Sequence, residues 1–215
     1  MLSYFVKGGP VMWPLLFLSV LGVTVAIWRW VALRQATQNV PQLMRDLRSK
    51  LVGADVPGAV QVCENVKGPV ASIVKAGLLR FGRPKEEVEM GLQDATAHEL
   101  AVLERGLPLL ATTATIAPLL GFLGTVTGMI NSFDALAAVG LNNPAAVAKG
   151  ISEALITTAA GLIIAIPVQM AYNYLVTRVN DLVRNMESAA NLVLEALADI
   201  KAGRGSAAAA PAVHE

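Results

Sequence analysis

Three stretches of the chain run apolar with no charged interruption: Val11 to Trp28, Gly106 to Phe133 between Arg105 and Asp134, and Ala154 to Thr177 between Glu153 and Arg178. A hydrocarbon core of about 30 Å needs roughly 20 helical residues, so each stretch predicts a transmembrane helix. The first is preceded by a single Lys7, is followed by no small-x-small cleavage site, and runs into Trp28-Arg29-Trp30. It therefore reads as a retained span with an interfacial anchor, not a cleaved leader.

Between the first two spans the pattern changes to short amphipathic segments punctuated by turn residues. Asn39/Pro41, Asp55/Pro57 and Gly68-Pro69 predict helix starts, and Gly82-Arg83-Pro84 a stop followed by a new start. From Pro84 the apolar positions Val88, Leu92, Ala95, Leu100 and Leu103 recur at helical spacing into the second span. One helix from Pro84 to Phe133, roughly fifty residues and about 75 Å, is the expectation. After the third span, Val179, Leu182, Val183, Met186, Val193, Leu194, Leu197 and Ile200 continue that helix inward. The fold class expected is an all-α membrane protein of three spans, two of them extended far into the cytoplasm, with a small helical cytoplasmic segment.

Charge sets the orientation. Residues 29–105 hold eleven Lys and Arg and the tail after Thr177 four more, whereas residues 1–10 hold only Lys7 and the link between spans two and three only Lys149. Positive-inside counting predicts a periplasmic N-terminus (1–10), span one (11–28), a cytoplasmic helical segment (29–105) and span two (106–133). A periplasmic link (134–153), span three (154–177) and a cytoplasmic helix (178–202) follow. Residues 203–215, Gly-Arg-Gly-Ser and an alanine run, have too little apolar bulk to pack and predict a disordered tail.

Composition agrees: 54% of residues are hydrophobic and 15% charged, against about 25% charged in soluble domains. A net charge of +1 and the lack of a basic stripe interleaved with aromatics exclude nucleic acid as the expected partner. An enzyme is not expected, since His98 and His214 lie in a cytoplasmic helix and the tail, and the sequence has no metal-ligand spacing or phosphate-binding glycine loop. The single Cys63 reads as an apolar packing residue.

The last two spans carry the chemistry. Ala114, Pro118, Gly121, Thr125 and Gly128 fall at steps of four and three, and Ala154, Thr158, Gly161, Ala165 and Val168 repeat those steps. Small residues let helices approach closely in lipid, and Gly124-x-x-x-Gly128 adds a second patch one position round. Plain helix packing accounts for the glycines. Hydroxyls at Thr112, Thr113, Thr115, Thr125, Thr127, Thr157 and Thr158 add polarity, because a threonine can bond the carbonyl one turn back or present its oxygen to water or an ion. Glu153 opens the third span on the face of Thr157, either as an interfacial residue or facing a polar cavity. Pro118 and Pro167 each interrupt backbone bonding inside the membrane.

The segment Ala117-Pro-Leu-Leu-Gly-Phe-Leu-Gly-Thr-Val-Thr-Gly-Met-Ile-Asn-Ser-Phe133, followed by Gly150-Ile-Ser-Glu-Ala-Leu-Ile-Thr-Thr-Ala-Ala-Gly-Leu162 and Ala165-Ile-Pro167, resembles the MotA/TolQ/ExbB ion-channel family. Residues 100 to 180 carry the resemblance, and three spans resemble its ExbB/TolQ branch. The resemblance implies a homopentamer in the bacterial inner membrane around two copies of a single-span ExbD/TolR-like partner, which supplies a membrane aspartate. It further implies that Thr125 and Thr158 line the ion path, that Glu153 matches the family's glutamate at the start of the third span, and that work passes to a TonB- or TolA-like protein. The chain departs from the family pattern in Phe122, where leucine is usual, and in lacking a Glu-Arg pair after the first span. Thr157 beside Thr158 resembles sodium-driven stators, so a transported proton is the first expectation and sodium the alternative, with no other cofactor and no resident metal. A non-conducting membrane scaffold is the competing reading.

Overall fold

The computed structural model describes residues 2–37, 39–140 and 144–201. Among them there are eight α-helices and no β-strand: α1 (Leu2–Lys7), α2 (Met12–Thr37), α3 (Val40–Val52), α4 (Val56–Asn65), α5 (Pro69–Leu78), α6 (Lys85–Glu104), α7 (Leu107–Val139) and α8 (Pro144–Lys201). Three regions are long and apolar enough to cross a membrane, and they contain α2, α7 and α8. The chain is therefore an all-α, three-span membrane protein. The expected tail, 203–215, lies outside the described residues.

The helices outrun their hydrocarbon segments. Helix α2 has 26 residues, α7 has 33 and α8 has 58, or about 39, 50 and 87 Å at 1.5 Å per residue. The stretch between spans two and three is accordingly mostly helical, since α7 ends at Val139 and α8 begins at Pro144.

The chain divides into two units, the first formed by the chain up to Trp30 with Gly106–Val176, the second by Val31–Arg105 with the chain from Thr177 on. In the first unit Leu15 of α2 is buried against Ala117 of α7 and Ala165 of α8. Two alanines facing one leucine leave room for close packing of three backbones. A methyl group placed on Gly22 would lie 2.9 Å from Val168 Cγ2 and 3.2 Å from Thr113 Cγ2, so the three helices also meet there. Large apolar side chains such as Phe17, Leu119, Phe122, Phe133, Ile163 and Met170 point outward and are exposed. Such a surface is costly in water and ordinary against lipid. Arg29 is buried, its guanidinium over the Trp28 ring at 5.4 Å.

In the second unit α5 is the most enclosed element: Val70, Ile73, Val74 and Leu78 are all buried. Gly77 marks the meeting of α5, α6 and α8, because an added Cβ there would lie 2.8 Å from Leu92 and 3.1 Å from Val193. Val179, Leu182, Met186, Ala189 and Val193 form the buried row of α8, at alternating steps of three and four. Cys63 is buried in this core, which pushes its thiol up to about 11 through desolvation. The Asp55 carboxylate caps α4 by accepting from the Gly58 N–H at 2.9 Å and from Lys50 Nζ at 3.2 Å. Those bonds, the backbone one first, hold its pKa below the ordinary carboxylate range.

One expectation needs correction. The helix predicted to run from Pro84 to Phe133 is broken: α6 ends at Glu104, Arg105 is extended with φ −56° and ψ 122°, and Gly106 turns left-handed with φ 90°. Pro108 favours the break. In a continuous helix it would leave the Glu104 carbonyl without its N–H partner and press its ring against that carbonyl. The chain instead breaks two residues earlier, with glycine at the left-handed position and proline in the first turn of α7.

Candidate ion-path site on helices α7 and α8

Glycines bring the backbones of α7 and α8 close together. A methyl group on Gly121 would lie 3.0 Å from the Thr157 carbonyl oxygen and 3.1 Å from Thr158 Cα; on Gly161, 2.6 Å from the Ala117 carbonyl oxygen. On Gly128 it would lie 2.6 Å from the Gly150 carbonyl oxygen and 2.9 Å from the Ala154 nitrogen. These neighbours are backbone atoms, which cannot swing aside. At Gly124 the obstruction is a side chain, the Cβ and Oγ1 of Thr157 with its methyl group at 3.0 Å.

Hydroxyls decorate that contact. Thr158 donates across the helices to the Gly121 carbonyl at 3.1 Å. Thr125, one turn beyond Gly121 and half-buried, donates to the Phe122 carbonyl at 2.6 Å. The two threonines thus occupy consecutive carbonyls of α7. Thr157 is fully buried and bonds its own helix, at 2.9 Å to the Ala154 carbonyl and 3.1 Å to that of Glu153. Ser132, also buried, reaches the Gly128 carbonyl at 3.0 Å and the Val147 carbonyl on α8 at 3.1 Å.

The sequence-selected residues do not all converge. Gly121, Gly124, Gly128, Gly161, Thr157 and Thr158 meet at the α7–α8 contact, with Thr125 at its edge. The carboxylate of Glu153 turns elsewhere, against Gly9 in the turn before α2, where an added Cβ would overlap its Oε1. Gly9 has φ +71°, so that turn needs glycine for backbone reasons as well. Pro118 is half-buried and Pro167 exposed; each lacks the N–H that would reach the carbonyl four residues earlier, Ala114 and Ile163 respectively. Sequence reasoning gave no role to Ser132 or Gly150. The signal was present, since Ser132 follows Gly128 by four residues and extends the same face.

A tightly packed, hydroxyl-bearing helix pair within uncharged spans matches a known family model over residues 65–188, that of the MotA/TolQ/ExbB proton channel family. The chain belongs to the MotA/TolQ/ExbB proton channel family. The matched region contains all of α7 and the part of α8 that bears Glu153, Thr157 and Thr158. Curated relatives within it include a chain of Synechocystis sp. designated ExbB-like 1, 39% identical over 82% of this chain and 71% of that one. The Tol-Pal system protein TolQ of Pseudomonas aeruginosa is 41% identical over 48% of this chain and 50% of its own length. The biopolymer transport protein ExbB of Pseudomonas putida is 43% identical over 41% and 27%. Membership places this three-span protein among membrane proton channels.

Proposed function

We propose that this chain is the pore-forming subunit of an inner-membrane motor that couples proton-motive force to mechanical work. Five copies enclose two copies of an ExbD/TolR-like single-span protein, whose membrane aspartate carries the proton past Thr125 and Thr158. The work is handed to a TonB- or TolA-like transducer, with the N-terminus periplasmic and the C-terminus cytoplasmic. The observation that carries the reading is the cross-helix bond from Thr158 to the Gly121 carbonyl. It puts a hydroxyl beside the edge of a helix contact that has no carboxylate between Arg105 and Asp134 or between Glu153 and Arg178. A lining that is polar yet offers no carboxylate of its own between those residues fits one supplied from outside.

Sodium is the weaker alternative within this reading. Its support was the extra hydroxyl of Thr157, but that side chain lies against Gly124 with its hydrogen on its own helix's carbonyls. A hard cation needs several converging oxygens, and Thr157 adds none at the exposed edge.

Thr158→Val is close in shape and tests the reading against a non-conducting scaffold. Proton flux in vesicles containing the complex falls at least tenfold while the complex still purifies intact. Full flux in an assembled variant favours the scaffold. Replacing the partner's aspartate with asparagine abolishes flux in the same assay.

A further inference from the structure

We infer that the groove between α1, the start of α2 and the face of α8 from Leu155 to Ile164 is a binding site for the acyl region of a phospholipid, drawn from the leaflet on the α1 side. Among the described residues none of α7 lines it, so the site is separate from the ion-path contact.

The groove encloses about 1300 Å³, with Phe5, Trp13 and Leu16 on one side and Leu155, Ala160 and Ile163 on the other. Among the described residues that line it none is charged. Trp13, Leu155 and Ile163 are exposed, so the open side faces the bilayer. Water finds too little to hold it there, since an ordered water needs about two to four polar partners. Left empty, the lining would forgo its dispersion contacts. The occupant is therefore apolar.

Length decides between a lipid chain and a protein helix. From Leu155 to Ile164 α8 rises about 14 Å, close to half of a hydrocarbon core of about 30 Å. At that depth the groove closes, because Leu15 is buried against Ala117 and Ala165, with Leu18 and Ile164 packed around them. About one turn further, Gly22 meets Val168. A transmembrane helix of a partner or of a second copy crosses the whole core and would leave half its length outside the groove. An acyl chain starts at the interface and stops at the midplane, which is the extent of this groove.

The mouth has the chemistry of the headgroup level. Phe5 and Trp13 stand edge to face with their centroids 5.2 Å apart, and exposed Tyr4 also lines the groove. Such rings favour the membrane interface. Lys7 ends α1, and Lys149 precedes Ile156 by about two turns on the same face of α8; both are exposed. Cations thus stand on the side where a lipid phosphate belongs. The Glu153 carboxylate against Gly9 offsets them in part, so recognition falls on the chain and not on the headgroup charge.

The test uses the full chain extracted from membranes in mild detergent and exchanged extensively, with native mass spectrometry counting the phospholipid that remains. The wild type retains phospholipid. Ala159→Trp fills the groove from an exposed position of α8 and weakens retention about tenfold, the worth of roughly two displaced methylenes. Met170→Trp places the same bulk on exposed α8 surface beyond the closed end and retains the lipid. In a chain carrying Trp28→Phe and Trp30→Phe, Trp13 is the remaining tryptophan. Phospholipid brominated along its acyl chain still quenches Trp13 after the same exchange, a readout that needs no change to the groove itself. Unchanged retention in Ala159→Trp, equal loss in both tryptophan variants, or Trp13 emission untouched by the brominated lipid overturns the inference. Separation of copies of the chain by Ala159→Trp with the lipid retained also overturns it and assigns the groove to a protein contact.

Discussion

Thr157 sets its Cβ and methyl group against Gly124, so that this contact between α7 and α8 joins a β-branched residue to one with no side chain at all. Gly124→Ala inserts a methyl group into the space Thr157 occupies, and Gly128→Ala drives one against the Gly150 carbonyl and the Ala154 nitrogen. Each variant lowers the stability of the detergent-purified chain by about 1–3 kcal/mol, the usual cost of overpacking. Gly53→Ala is the control, since φ is −77° there and the nearest atom stands 3.5 Å away. Thermal denaturation separates the three. Equal melting temperatures for Gly124→Ala and Gly53→Ala contradict the contact.

Thr157→Val preserves the shape beside Gly124 but loses the bonds to the Ala154 and Glu153 carbonyls. Stability falls by about 1 kcal/mol, and ion preference is unchanged. Flux measured over a wide sodium range at fixed pH is flat for both chains. A sodium stimulation that the valine variant abolishes restores Thr157 to the ion path.

Gly106→Ala forces a side chain into φ 90° beside Trp28 Cζ3 at 3.3 Å and Arg29 Cδ at 3.4 Å. The backbone strain alone costs about 1–3 kcal/mol. Replacing Pro108 with alanine removes the reason for the break, so the double variant recovers part of the loss. Denaturation of the single and double variants measures the difference, and identical losses contradict the assignment to Pro108.

Buried Cys63 titrates near 11, above the ordinary thiol value of about 8.5. The rate of iodoacetamide labelling of the native chain therefore climbs about tenfold per pH unit through pH 10. Because the folded value is the raised one, the neutral thiol's contribution to stability is complete below about 8.5 and is lost as pH rises toward 11. A labelling profile that levels off near 8.5 contradicts the burial of this side chain.

The three spans were legible because long uncharged runs have few alternatives, and α3 to α6 begin at the flagged turn residues Asn39, Asp55, Gly68 and Pro84. The break at Gly106 was missed because Pro108 sits in a run whose hydropathy dominates the pattern. The small-residue stripes were legible except at their centres. The stripes drawn at steps of four and three took in Pro118, Thr125 and Thr158, which are not among the buried residues, while Ala117, Gly124 and Thr157 one position away are buried; Gly124 and Thr157 were named in the sequence, but not on those stripes. Two adjacent small residues serve one helix equally well, and only the facing helix decides between them. The seating of Glu153 on Gly9 had no sequence signal, since it joins residues far apart in the chain through a turn with no periodicity.

The glycines of α7 and α8 fix how near the two rods lie, but glycine is indifferent to phase: sliding one rod by a turn, about 5.4 Å, still presents small residues to small residues. Two bonds that cross the contact, Thr158 to Gly121 and Ser132 to Val147, oppose such a slide. Together they are worth about 1–3 kcal/mol. One elementary charge crossing an energised membrane delivers about 2.3 kcal/mol per 100 mV, so the work available from a single proton is of the same size as the cost of changing step.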